Sequence, residues 1–469
     1  MSKGTWPVFP SFILLEPGYE PGFFAEPQEK LYFDFWLHLI GNIYLFPNDI
    51  MARVMPQLAH RVPAIKHAAL AMAAMARALI PSLMQRPREE LYKNGPHYEY
   101  ALKQYGLAIS LVRNSQPSSE NMLWAIVCCV LFVTFECLHS DRSAALSHVS
   151  HAHKMMEIYF NQRSMVEESP ATDSVRAVCD DAAWVFQGMT MQSWSHNVLH
   201  SKESPKISWC CRGSTRTFAV DEMPPKFTDI YMARRWWRVV QHYTCHRCPI
   251  YTDIFVNDLS KDTLVGSHVR QALPLDQIEE LLAVLPEFLG HLQRWSNAFQ
   301  VVYDDLESNQ QQEFYSYVDA CNLRLQYLSL WTNISSLSYQ DARMMSMLTP
   351  FFREMVQLSR LILETQANCG GCVEVFSMDN GPTLPLLIIA RRCHDAAVRR
   401  EATELLGKHH RRDGLWDSRI FYTVASSSAR VEIDDDVMND DAGQWLQMSR
   451  REVHFSRHGG DWEILQTAS

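Results

Sequence analysis

The amino-acid sequence predicts an all-α protein: a large multi-helix α–α domain with a short C-terminal β-hairpin. Three observations carry that prediction. Gly 18 and Pro 22 are modest counts for 469 residues, which favours long helices over loop-rich β architecture. Apolar residues recur at three- and four-residue spacing through most of the chain, the period of a helix with one buried face. The connections between these segments are short and polar, as in "RNSQPSSEN" (113–121), which suits helices packed against their sequence neighbours.

The elements follow in order. Residues 1–30, rich in Pro, Gly and aromatics, read as an irregular arm. Helical patterns dominate from Leu31 onward and define a domain over 31–430. "PAIKHAALAMAAMARALI" (63–80) opens on Pro and is rich in Ala, the best helix former. "HYEYALKQYGLAISLVR" (97–113) places Tyr98, Ala101, Leu102, Tyr105, Ile109 and Val112 on one stripe. The run "AIVCCVLFVTFECL" (125–138) is too short to span a bilayer and contains Glu136, so it reads as a buried helix. "SAALSHVSHAHKMMEIYF" (143–160) follows, then a less regular middle over about 161–227. Helices resume at 224–243, 275–302 and 314–363; "QANCGGCVEVFSMDNGP" (366–382) reads as a connection and Ile389 begins a last long helix. Residues 431–469 hold an acidic loop and the tail "REVHFSRHGGDWEIL", whose alternation around Gly459-Gly460 predicts the hairpin.

A formal net charge of −10 gives no support for wholesale binding to a polyanion. The first 21 residues carry one Lys and no sustained apolar core, so no targeting segment is read there, and no membrane partner is expected. The twelve cysteines are scattered, with adjacent pairs only at Cys128/Cys129 and Cys210/Cys211. That pattern reads as reduced, mostly buried thiols in an intracellular protein.

The sequence contains no GxGxxG, P-loop, GxSxG or HExxH motif, so no catalytic, cofactor-binding or metal residue and no cofactor is assigned. Two CxxC pairs exist, Cys245/Cys248 and Cys369/Cys372, too far apart in sequence to support a shared zinc site. The first lies in a helical pattern and reads as packing; the second flanks Gly-Gly and reads as exposed and oxidisable. His148, His151 and His153 crowd one helix without an acidic or thiolate partner at helical spacing, which favours structural roles. Glu136, a carboxylate on an apolar helix, must find a donor, and a histidine or arginine of a neighbouring helix would serve.

The basic stretch beginning at Ile389 needs its own reading. Ile389, Cys393, Ala397, Val398, Ala402, Leu405 and Leu406 fall on one helical stripe. Arg391/Asp395, Asp395/Arg399 and Arg400/Glu404 stand four apart on the other face, so the charge is partly paired. A phosphate-binding surface prefers unpaired arginines. The stretch therefore reads as scaffold, with Trp416 packed back on the core past a helix-ending Gly. Arg411 and Arg412 are expected to be exposed, their charges worth about 0–1 kcal/mol.

"GPTLPLLIIARRCHDAAVRREATELLGKHHRRDGLWDS" (381–418) resembles the C-terminal signature of fungal binuclear zinc-cluster transcription factors. "AIKHAALAMAAMARA", "HYEYALKQYGLAISLVR", "VLFVTFECLHSDRSAALSHVSHAHKMM", "MPPKFTDIYMARRWW" and "LLAVLPEFLGHLQRWSNAF" are similar to other segments of that family, in the same order, over Leu31 to Trp462. The resemblance implies the family's helical regulatory region and places Glu136, His148, Arg391, Arg392, Cys393, Arg399, Arg400 and Trp416 at architectural positions. It offers no catalytic residue. The family's six-cysteine DNA-binding cluster has no counterpart here, since the first cysteine is Cys128, already inside the helical region.

The expectation is a nuclear transcription-regulator-like protein lacking its own DNA-binding domain. It would control a fungal secondary-metabolite gene cluster through transcriptional or DNA-binding protein partners, or through a sensed small molecule. No sequence-specific DNA binding by the chain alone is expected, and a homodimer is open. Two alternatives stand beside it: a zinc-cluster factor whose head is encoded upstream of Met1, and an enzyme or ligand carrier built on this fold, with His148, His151 or Glu136 as acid/base groups.

Overall fold

The structure is a computed structural model that describes residues 23–41, 49–79, 95–116, 118–139, 141–163, 182–189, 192, 220–247, 275–336, 342–368, 375–419, 421–422, 425–426, 454–458 and 461–465. The chain divides into two compact units, one of Met1–Met189 with Ile207–Ser214 and one of Thr190–Lys206 with Thr215–Ser469. The described residues are predominantly helical, as the composition and periodicity predict.

The first unit contains α1 (Pro27–Gly41), α2 (Asp49–Arg61), α3 (Pro63–Leu79), α4 (Pro96–Arg113), α5 (Ser119–His139) and α6 (Arg142–Arg163). Helix α3 is its centre. Every residue from Ala68 to Ala76 is buried, and the helix packs against α1, α2, α4 and α5. Alanine makes this geometry workable, because small side chains on several faces let four neighbours approach one backbone without overpacking. Helix α5 is buried at every position from Ala125 to Leu138. Its window Glu120–His139 is long and apolar enough to cross a bilayer, but 83% of it is buried inside the protein. The 14-letter apolar run understates the helix, which reaches 21 residues; its burial is as the sequence predicts.

The second unit contains α7 (Ile230–Arg247), α8 (Leu275–Ser308), α9 (Phe314–Ser336), α10 (Ala342–Ser346), α11 (Thr349–Asn368), β1 (Val375–Ser377), α12 (Thr383–Arg392), α13 (Ala396–Lys408), β2 (Arg411–Asp413), β3 (Trp416–Asp417), β4 (His454–His458) and β5 (Asp461–Leu465). Helix α9 is buried along most of its length and packs on α7, α8, α11 and α12. Where α7, α8 and α9 meet, Trp295 stacks on Phe299 at 4.7 Å and on Tyr327 at 5.7 Å, with Trp237 tilted against it at 4.8 Å. Both indoles are satisfied: Trp237 Nε1 donates to Gln326 at 2.8 Å and Trp295 Nε1 to the Ala233 carbonyl at 3.0 Å.

The basic stretch is not one helix. Helix α12 ends at Arg392, Cys393 turns extended at φ −70 and ψ 133, and Asp395 caps a new helix by accepting from the amides of Ala397 and Val398. An Asp one residue before a helical run competes for the backbone, and here the cap wins over helix continuity. Asp395 also pairs with Arg353 at 2.7 Å, so the Arg391/Asp395 and Asp395/Arg399 pairing read from sequence does not describe it. Ala397 is exposed, while Ile389, Cys393, Val398, Ala402, Leu405 and Leu406 are buried as expected.

The connection read over 366–382 contains β1, which pairs in parallel with β2, and β2 pairs antiparallel with β3. Arg411 and Arg412 lie in β2 and are buried, 4% and 3% exposed, which overturns their reading as surface charges. Trp416 is buried in β3 as expected. The glycine before it serves the β2–β3 turn instead of a helix end: Gly414 adopts φ 58, a conformation that costs other residues strain, and donates to the Ser377 carbonyl at 2.7 Å. The C-terminal hairpin has the expected form, His454 opposite Leu465 and His458 opposite Asp461. Cys210, Cys211, Cys248, Cys369, Cys372, the acidic loop and residues 1–22 lie outside the described residues.

Truncating the α13 core residue in Leu405→Ala is expected to cost about 2–5 kcal/mol and Trp416→Ala about 3–5 kcal/mol. Removing the cap in Asp395→Ala is expected to cost about 0.5–2 kcal/mol. Denaturant unfolding of the three variants checks the ranking.

Candidate functional site

In the first unit, the carboxylate singled out by sequence has its donors. Glu136 is 5% exposed. The Tyr105 hydroxyl donates to its Oε1 at 2.5 Å, and the same hydroxyl lies 2.8 Å from His148 Nε2. A phenol has one proton to give. With that proton on Glu136, the second contact runs the other way, so His148 Nε2 carries hydrogen and donates to the Tyr105 oxygen. His139 Nδ1 stands 3.5 Å from Glu136 Oε2, and the Tyr98 hydroxyl is 3.1 Å from His139 Nε2. The chain Tyr98–His139–Glu136–Tyr105–His148 thus ties α4, α5 and α6 together. The main donor is a tyrosine, a type the sequence reading did not name.

Packing fixes the tyrosine before any hydrogen bond forms. Its ring stacks on Phe135 at 4.2 Å with an interplanar angle of 10°, and Phe132 stands edge-on at 5.3 Å. Burial and then the bond to Glu136 raise the Tyr105 hydroxyl far above its ordinary pKa. Burial lowers His148 against the pull of Glu136. A neutral, donating His148 agrees with both directions.

The other candidate residues do not join this chain. His151 is exposed, and His153 is 3% exposed, edge-on to Phe186, with burial pushing it down to about 4. Cys245 is buried. Cys128 and Cys129 are buried, and burial raises both thiols, Cys129 to about 12, so neither is a ready nucleophile. Among the described residues no group of three or more His, Cys, Asp or Glu is placed to hold a metal ion.

In the second unit a larger polar network forms around the "SMDNG" segment (377–381). Asp379 accepts from Arg234 Nη1 at 2.5 Å, and Arg234, 4% exposed, also pairs with Asp319. Burial pulls the Arg234 guanidinium down, and the two carboxylates more than offset it. The Asn380 carbonyl accepts from Asn322 at 3.1 Å and Gln326 at 2.5 Å. Its side chain accepts from Gln192 at 2.9 Å, and Gln192 in turn accepts from the Leu415 amide at 2.8 Å.

The two strand arginines complete the network. Arg411 Nε pairs with Asp413 Oδ1 at 2.5 Å, and its Nη1 donates to Gln366. Asp413 is fully buried and accepts from the Thr383 amide at 3.2 Å, the first residue of α12. Burial raises the Asp413 carboxyl against the pull of Arg411. Arg412 and Arg419 both pair with Asp417, at 3.1 and 2.7 Å; burial opposes its charge, and the two guanidiniums overcome that and hold it well below the usual carboxylate range. Gly381 closes the cluster, since a Cβ there would lie 2.7 Å from both Asp413 oxygens.

Most of the basic residues quoted from the sequence are therefore occupied. Arg392 donates to Asn333. Arg399 Nη1 satisfies the Cys393 and His394 carbonyls at 2.8 and 3.1 Å, in the turn between α12 and α13. A surface for phosphates is not what these side chains build. Comparison with known protein families, with curated proteins and with solved structures finds no match.

Gly381→Ala forces a methyl group into the Arg411–Asp413 pair and is expected to cost about 1–3 kcal/mol, read as a shift of the unfolding midpoint. The pH dependence follows from His153. Its folded pKa of about 4 lies below the ordinary 6.5, so the unfolded chain takes up the proton first as pH falls. The stability that His153 contributes is present above about pH 6.5 and is expected to be lost as pH falls toward 4. His153→Phe is expected to flatten that decline, measured as denaturant midpoints across the window.

Proposed function

We propose that the chain is the helical regulatory body of a transcription regulator, similar to fungal binuclear zinc-cluster factors, that reaches DNA through a partner protein and serves a metabolic gene cluster. One observation supports this best. Most of the residues carrying the resemblance are spent on architecture: Arg392, Arg399, Arg412 and Asp413 on hydrogen bonds and ion pairs, Cys393, Leu405, Leu406 and Trp416 on the core. A regulatory body transmits through its shape and its partners, and needs such a rigid frame without reacting groups. The net charge of −10 and the occupied arginines argue against this surface as the DNA contact.

The test has two arms. Footprinting of the purified chain at physiological salt is expected to show no sequence-dependent protection, and the chain tethered to a foreign DNA-binding domain is expected to change a reporter's output. A nanomolar, sequence-dependent footprint by the chain alone, or a tethered chain without effect, contradicts the proposal.

The Tyr105–Glu136–His148 chain favours a second reading, an acid–base or ligand site on the same fold. Under it, Tyr105→Phe abolishes turnover or binding of a small molecule while the helical signal persists. Under the regulatory reading, that variant changes stability alone.

A further inference from the structure

Helix α4 carries a face that the described residues of its own unit leave uncovered. Its buried side is Ala101, Gln104 and Ala108. On the far side Glu99, Lys103, Gly106, Ser110 and Arg113 follow one another at helical spacing, and all are exposed. Leu102, Leu107 and Leu111 flank that stripe, each held 40–41% exposed. Gly106 is unusual in such a place, because glycine mid-helix is a poor helix former. A Cβ there would meet nothing within 4 Å, so no packing among the described residues of this unit asks for the glycine. The close approach of a second backbone would.

The charges select what approaches. Glu99 stands seven residues before Gly106 and Arg113 seven after it, which at 1.5 Å per residue is about 10 Å along the axis on each side. An antiparallel copy of the same helix, related by a two-fold axis at Gly106, places each Glu99 level with the other copy's Arg113. A parallel copy places Glu99 on Glu99. We propose that the outer face of α4 is an isologous interface between two copies of this chain, crossing antiparallel at Gly106, with the leucines closing around the crossing and two Glu99–Arg113 pairs at its ends. One helix pair is a small interface, so the dimer is weak and forms in the micromolar range.

Sedimentation equilibrium of the full chain from about 1 to about 500 µM spans that range and tests the interface. The mass is expected to rise from 54.2 kDa toward twice that value. Arg113→Glu, or Glu99→Arg, sets like charges at both ends and is expected to weaken association by about tenfold or more, with the double swap restoring it. Gly106→Leu separates the two effects of the glycine: it improves the helix, so thermal stability holds or rises, while it blocks the crossing and dissociates the dimer. A chain that stays monomeric throughout overturns the proposal. So does a dimer indifferent to these substitutions, or one that the double swap fails to restore.

Discussion

An arginine and an aspartate two residues apart on one short strand, both in the protein interior, constrain the second unit. Withdrawing Arg411 and Asp413 from water costs several kcal/mol per ion, and their attraction repays it only with good geometry and satisfied remaining groups. The structure supplies both. Asp413 receives the Arg411 guanidinium and the Thr383 amide; Arg411 also reaches Gln366 on α11. Because these partners come from β2, α11 and the start of α12, the pair ties the strand to both helices. Gly381 follows from the same demand, since no side chain fits between the backbone and the carboxylate.

The first unit solves the same problem of burying polar groups with fewer charges. Alanines along α3 bring the helices close, and the one carboxylate in the interior of α5 is met by a tyrosine that aromatic stacking has already oriented. Tyr105 is placed by rigid apolar neighbours, and its hydrogen bond is then formed at little further entropic cost. Tyr105 links three helices in this way, where a salt bridge between flexible side chains would have to order both partners first.

Much of this was legible in the sequence, for reasons that lie in local periodicity. The Ala-rich α3, the apolar α5 and the alternating tail around Gly459-Gly460 each announce themselves within a short window, and the structure has them as a central helix, a buried helix and a hairpin. The failures share a cause. Arg411 and Arg412 look like surface residues because their partners Gln366, Asp413 and Asp417 acquire meaning only after β2 pairs with β1 and β3. Asp395 looks like an ion-pair partner four residues from two arginines, yet its backbone position makes it a cap. The "SMDNG" segment has turn residues and reads as a connection; its role as the hub for Arg234, Asn322, Gln326 and Gln192 depends on side chains far away in sequence. A signal was available in the paired turn motifs Asn380-Gly381 and Asp413-Gly414, each beside a short apolar or charged strand.

That Arg411 and Asp413 are a coupled interior pair holding the frame is the central claim, and a double-mutant cycle measures it directly. Arg411→Met, Asp413→Leu and the two together are compared with the parent by denaturant unfolding. Each single change strands a charge in the interior and should lose about 3–5 kcal/mol, whereas the double change removes both charges and should lose clearly less than the sum. Small, additive losses of about 0–1 kcal/mol, the signature of independent surface charges, would contradict it.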